Sequence, residues 1–266
     1  MPVSQCNGAN LYYEEEGAGR PIVFLHGAWA GLRFFEPQLM NLSDEFQTVA
    51  LDFRGHGRSE KSEAGHTVPQ YARDVRAFLD HQDLDEIVLV GWSLGALVAW
   101  EYVDQFGTDG IRGLVNVDME AAPGPAGNEE APTYDLDRFR DINRSIQADH
   151  LAFIEQTIDV SFKHPPTDDL RTTILDEDSR SPPTVKSAII IDATLCDYRE
   201  VLPDIDVPML VCAGADEKWR SVPVVKRTAD LVPEARFELF EESGHSLTVE
   251  EPEKFNQVVS DFVKSL

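Results

Sequence analysis

Apolar positions along this chain follow two alternating periods. The run PIVFL at Pro21 to Leu25 is short and continuous, as a strand buried on both faces would be, and Asn10 to Glu15 reads as a neighbouring strand across the turn Gly17, Ala18, Gly19. Helical spacing follows over Arg33 to Phe46 (Phe34, Phe35, Leu39, Leu42), then the strand Thr48 to Phe53 and the glycine-rich loop RGHGRSE. Thr67 to His81 is predicted as a helix with Tyr71, Val75, Phe78 and Leu79 on one stripe. The strand Ile87 to Gly91 feeds directly into an apolar helix, Leu94 to Phe106, and the strand Ile111 to Asp118 comes next. Alternating β and α units of this kind predict an α/β fold, a mostly parallel sheet covered by helices on both faces.

At Glu120 the rhythm stops. Pro123, Gly124, Pro125 and Gly127 form a breaker cluster, and acidic helix-like segments then run to about Leu202 with no buried-strand pattern. Their apolar residues (Leu151, Phe153, Ile154, Ile158, and Ile189 to Ile191) need a surface to cover, which a plain linker would not offer. Residues 120–202 therefore read as a helical cap inserted into a core made of 1–119 and 203–266. The alternation resumes with the strand MLVCAG after Pro208, a helix near Val222 to Leu231, the strand Arg236 to Phe240 and a terminal helix from Pro252 to Val263.

Composition narrows the function classes. The 266 residues are 42% hydrophobic, enough for a core, while 48 acidic against 23 basic residues give a net charge of −25. Such a chain repels polyanions, so nucleic acid and anionic membranes are poor partners. Only 7 of the basic residues are Lys, and an acidic, lysine-poor surface resembles that of proteins from salt-accumulating halophiles, in which salt screens the self-repulsion. The longest uncharged apolar stretch, Ile87 to Trp100, is too short to cross a bilayer, and the N-terminus lacks the basic and apolar regions of a signal peptide, so the expected location is cytoplasmic. Cys6, Cys196 and Cys212 are odd in number and lack metal-ligand spacing; Cys212 reads as a buried strand residue.

The candidate chemistry starts at GWSLG, Gly91 to Gly95. It lies between an apolar strand and an apolar helix, the setting a GxSxG nucleophile elbow requires: a strained turn lifts Ser93 clear of the sheet, and the glycines let strand and helix pass closely. A packing turn with an incidental serine, or a phosphate-binding turn, would also join a strand to a helix, but the spacing is not GxGxxG. Serine needs a base. His245 follows the late strand Arg236 to Phe240 in EESGHS and precedes the terminal helix; among the other histidines His56 is only a remote alternative, because His26 and His56 sit in glycine-flanked loops.

These segments resemble the α/β-hydrolase superfamily from about Pro21 to the C-terminus: LHGAW resembles its oxyanion loop, DFRGHGRS the loop after the next strand, GWSLG its elbow and ESGH its histidine turn. The branch with the closest look is that of small serine esterases, lactonases and cofactor-free haloperoxidases (perhydrolases), with carbon-carbon-bond hydrolases a further possibility. The resemblance implies an oxyanion hole from the backbone N–H groups of Ala28 and Leu94. It also implies acyl transfer, with Ser93 as nucleophile and His245 as base and no metal, flavin or nicotinamide required. Relatives that attack with aspartate would carry Asp at position 93. The family's acid commonly follows as GxxD after the strand MLVCAG; counting from Gly214 this register gives Glu217, while Asp216 has the commoner residue type one position early, and Asp118 after the preceding strand is the third choice. Trp29, Trp92 and, less directly, Trp219 are candidates to line an apolar acyl pocket. The expected substrate is a small uncharged ester or lactone; the rival of another class is a ligand-binding protein on the same fold, in which hydrolysis is slow or lost.

Overall fold

A computed structural model describes residues 2–125 and 135–266; Gly127 of the breaker cluster lies outside them. In chain order the elements are β1 (Val3–Cys6), β2 (Ala9–Gly17), β3 (Pro21–Leu25), a 3-10 turn at Leu32–Phe35, α1 (Glu36–Leu42), β4 (Gln47–Leu51), α2 (Val68–His81), β5 (Ile87–Trp92), α3 (Leu94–Phe106) and β6 (Ile111–Val117). Four helices follow, α4 (Leu136–Ala148), α5 (His150–Ser161), α6 (Asp168–Ser179) and α7 (Pro183–Thr194). The chain closes with β7 (Met209–Gly214), α8 (Val222–Leu231), β8 (Ala235–Phe240), a single turn α9 (Leu247–Glu250) and α10 (Pro252–Ser265).

The strands form one sheet in the order β1-β2-β4-β3-β5-β6-β7-β8, antiparallel at the first two pairings and parallel from β4 to β8. Side-chain alternation divides the core. Val23 and Leu25 of β3 and Leu89 of β5 face α2, α3 and α8, while Ile22, Phe24, Val88 and Val90 face α1 and α10. Strands buried on both faces have no polar side to mark them, which is why PIVFL and MLVCAG are continuous apolar runs. Cys212 lies in β7, fully buried.

One predicted element changes, and one strand is not among those predicted. The helix expected over Arg33 to Phe46 is a 3-10 turn and then α1: Pro37 at the start of α1 has no N–H for the preceding turn, and α1 ends at Leu42. Strand β1 has the sequence VSQC, with Ser4 and Cys6 as its buried pair, so no hydrophobic alternation announces it. Between β6 and β7 the described residues form helices α4 to α7 and no strand. Their apolar residues join both sides of the core, Phe153 and Ile189 one cluster, Ile154 and Ile174 the other. Among the described residues no helix is long and apolar enough to cross a membrane.

Candidate active site

The site is assembled at the C-terminal ends of the parallel strands. Ser93 joins β5 to α3 with φ 53° and ψ −115°, a left-handed conformation that a non-glycine residue adopts at a cost of about 1–3 kcal/mol. The turn is held by the Ser93 N–H donating to the Val117 carbonyl at 2.9 Å. A Cβ on Gly91 would lie 2.4 Å from the Gly95 backbone, and one on Gly95 2.1 Å from the Leu25 carbonyl oxygen, so strand and helix can only approach this closely with glycine at both places. Leu94 begins α3, where a backbone N–H has no partner within the helix. Ala28 lies in the loop after β3, which is braced from beneath: His26 Nε2 accepts from the Phe53 N–H at 3.0 Å, and Asp52 accepts from Leu32 and Arg58 N–H groups at 2.7 Å each. His26 and His56 are both fully buried in this brace, and burial lowers their affinity for a proton.

His245 sits in the turn between β8 and α9, 8% exposed. Its Nδ1 lies 2.6 Å from Glu217 Oε2 and 2.9 Å from Asp118 Oδ2, leaving Nε2 as the ring nitrogen available on the other side. Two of the three candidate acids therefore meet one imidazole nitrogen. Glu217 follows β7, and its other oxygen, Oε1, accepts from the Trp219 N–H. Asp118 follows β6 with φ 56°, anchored by its own N–H to the Cys212 carbonyl at 2.8 Å. Asp216 is elsewhere: its side chain is 46% exposed and pairs with Lys218 at 3.6 Å. The turn keeps its full length, so Asp216 points away from the ring and the register counted from Gly214 leads to Glu217.

Arg220 and Glu120 are parts of this cluster that no motif announced. Arg220 Nη1 donates to the Asp118 carbonyl at 2.7 Å and lies 3.7 Å from Glu217 Oε2, and its Nε lies 3.4 Å from Glu120 Oε1. An arginine in a loop has no sequence period; the only hint was its place three residues after Glu217. Burial drives the Asp118 carboxyl well above the ordinary range, and the neighbouring Glu217 pushes it the same way. Burial would raise Glu217 too, but His245 and Arg220 reverse this and hold it well below the ordinary range. Burial likewise opposes protonation of His245, yet the two carboxylates outweigh it and lift the imidazole to about 9.

Among the described residues, one group of side chains, Asp118, Glu217 and His245, could offer three ligand atoms to a metal ion, all within 4.8 Å of one another. The separations of 2.6 and 2.9 Å are those of hydrogen bonds, and the Arg220 guanidinium already supplies a cation there. The arrangement is that of an imidazole oriented by carboxylates.

Ser93, Ala28 and His245 share a cavity of about 60 Å³. All three tryptophans singled out from sequence line it. Trp92 Nε1 donates to the His245 carbonyl at 2.8 Å, fixing the histidine turn against the elbow. Trp29, with φ 68°, donates from Nε1 to the Lys186 carbonyl of α7 at 3.2 Å and so ties the loop after β3 to the helical insertion. Opposite the serine the insertion contributes Ile158, Ile174, Asp178 and Ile190.

Comparison with known proteins agrees with this architecture. The AB hydrolase superfamily protein YisY of Bacillus subtilis is 28% identical over 96% of both chains, and the non-heme chloroperoxidase CPO-A1 of Kitasatospora aureofaciens is 26% identical over 99% of both. The solved structure of the esterase EaEST from Exiguobacterium antarcticum superposes with a TM-score of 0.92 at 25% identity, covering 98% of each chain. Residues 22–258 match the alpha/beta hydrolase family, and the chain belongs to it.

Proposed function

We propose that this hydrolase cleaves small carboxylic esters or lactones through an acyl-enzyme on Ser93, and that helices α4 to α7 serve as the cap over its pocket. The observation that carries the reading is the shared cavity: a serine on a strained strand-to-helix turn opens into the same space as a histidine whose Nδ1 is held by buried carboxylates. In this reading His245 Nε2 takes the Ser93 hydroxyl proton as Oγ attacks the carbonyl carbon. The Ala28 and Leu94 N–H groups receive the oxyanion, each contributing about 3–4 kcal/mol. The imidazolium returns its proton to the leaving alkoxide, and water repeats the sequence to release the acid. Glu217 and Asp118 fix the tautomer and stabilise the imidazolium. The limited room beside Ser93, with its mostly apolar lining, supports a short acyl group.

The likeness to a non-heme chloroperoxidase favours one second reading, attack on the same acyl-enzyme by hydrogen peroxide in place of water, with release of a peracid. Labelling with an activated phosphonate tests the primary reading: wild type should be modified at Ser93 and lose hydrolysis of short p-nitrophenyl esters in parallel, and Ser93→Ala should take up no label. An unlabelled, inactive wild type would favour a ligand-binding protein on this fold instead.

A further inference from the structure

We infer that the cavity over Ser93 selects esters or lactones bearing a neutral hydrogen-bond donor, a hydroxyl or amide N–H, on the acyl or ring carbons, and that Asp178 receives this donor. The inference rests on the serine-hydrolase reading and adds the substrate class to it.

The walls near the serine are largely apolar, formed by Trp29, Phe34, Ile158, Phe162, Ile174 and Ile190. Such walls would suffice for a simple alkyl chain. Asp178, at the C-terminal end of α6, breaks the pattern: it lines the same cavity, is only 6% exposed, and its Oδ1 is buried without a hydrogen-bond partner. A buried acceptor left unpaired is costly, and native interiors rarely keep one without a use. The neighbouring cation does not satisfy it. Lys186 is fully buried on α7, and its Nζ donates to the Asp178 backbone carbonyl at 2.6 Å.

Lys186 also determines the charge of the ligand. Its ammonium balances the Asp178 carboxylate, so a second cation entering the pocket would find the carboxylate's field already cancelled and the lysine repelling it. A neutral donor meets neither obstacle. It supplies the hydrogen bond that Oδ1 lacks while the rest of the substrate keeps its contact with the apolar walls. Trp29 couples this corner to the loop that carries Ala28, because its indole N–H is bonded to the Lys186 carbonyl, so filling the corner bears on the same segment that faces the ester carbonyl.

The test compares kcat/KM in a pH-stat for ethyl butanoate, ethyl 3-hydroxybutanoate, ethyl 3-methoxybutanoate and ethyl 3-aminobutanoate, together with γ-butyrolactone and its α-hydroxy, α-methoxy and α-acetamido derivatives. At least one hydroxyl or amide substrate should exceed its unsubstituted parent about ten- to a hundredfold, with methoxy and ammonium analogues gaining nothing. Asp178→Leu/Lys186→Met, which removes both charges together and so avoids stranding a buried ammonium, should bring that ratio to about one; Asp178→Asn, which keeps one acceptor oxygen, should retain part of it. Efficient hydrolysis of the parents with no donor preference in wild type would overturn the inference and leave the hydrolase reading standing. If nothing is hydrolysed, that reading fails by itself, and the inference is decided by melting temperature: hydroxyl or amide compounds must stabilise Ser93→Ala more than their methoxy counterparts, and equal shifts overturn it.

Discussion

At the sheet end, Glu217 has one oxygen on the Trp219 N–H and the other on His245, Arg220 bridges toward Asp118, Glu217 and Glu120, and Asp118 keeps Oδ2 on His245 while its Oδ1 has no hydrogen-bond partner. In the helical insertion, Glu177 is 1% exposed with neither carboxylate oxygen hydrogen-bonded, only an ion pair to Arg180 at 3.5 Å, and Asp178 keeps one bare oxygen. Burial pushes both of these carboxyls up to about 7, and lowers Lys186 to about 8. The difference separates two tasks. In the proposed mechanism Glu217 stabilises a charge that develops within a single reaction step, and both its oxygens are engaged beforehand, so that little reorganisation is left for the step itself. Asp178, which lines the cavity, is the group that the proposed reading assigns to a ligand, and it keeps an acceptor to spare.

The sharpest way to break this contrast is at the sheet end. Ser93→Ala and His245→Ala should each lower ester turnover by several orders of magnitude, and the double variant should lie near either single one, because the two act as a unit. Additive losses in steady-state kinetics would argue for separate roles, and a Ser93→Ala enzyme with a tenth of wild-type turnover would sink the assignment.

Next in size are the two carboxylates. Removing a sole triad acid costs about 10⁴ in turnover. With Asp118 and Glu217 on the same nitrogen, Asp118→Asn and Glu217→Gln should each lose less than that, and the double variant should reach it. If Glu217→Gln alone already falls to the level of the double, Asp118 is a bystander. Asp216→Asn should stay within about twofold of wild type, as expected of an exposed side chain. The pH profile sharpens the point. Since the carboxylates lift His245 to about 9, kcat/KM should rise with pH toward that value as the base form appears; removing the Glu217 charge releases the proton more readily and moves the acidic limb downward, toward about 6.5. A limb that moves upward or stays fixed would contradict the pairing.

Smaller effects concern the insertion and the surface. Helix α4 has Ile146 as its one buried residue, whereas every residue of β5 is buried, so hydrogen exchange should release α4 amides well before those of β5. Equal protection would mean that core and insertion open as one unit. With 48 acidic residues on the chain, raising KCl from ~0.1 to ~3 M should increase the melting temperature by screening their repulsion. A flat or falling series would remove the halophilic reading and leave the chemistry untouched.

Much of the core was legible because its signals are local. Parallel strands are continuous apolar runs, and the elbow's glycines stand where two backbones must touch. Glu217 was reachable by counting from Gly214, but that Asp118 meets the same nitrogen depends on β6 and β7 lying side by side, a fact of sheet order that no local spacing encodes. Arg220, Glu120, Asp178 and Lys186 were hidden for a related reason: charged residues in polar segments read as solvated until packing covers them. Trp29, Trp92 and Trp219 drew notice through size, yet the hydrogen bonds that give two of them their positions, to Lys186 and His245, join residues far apart in the chain.

Strands β6 and β7 are parallel neighbours, so the insertion leaves the sheet after Val117 at the C-terminal end of β6 and crosses back to Met209 at the start of β7, which lies opposite Leu114. A segment whose two ends are fixed by adjacent strands of one sheet can be lengthened, shortened or exchanged at a cost that grows only with the logarithm of its length. The sheet would register little of such a change, because its hydrogen-bonded register is set on either side of the gap. On the proposed reading, reactivity and selectivity lie in separable modules, and a graft of residues between Asp118 and Met209 from another member of the fold is the natural unit in which to trade one substrate range for another.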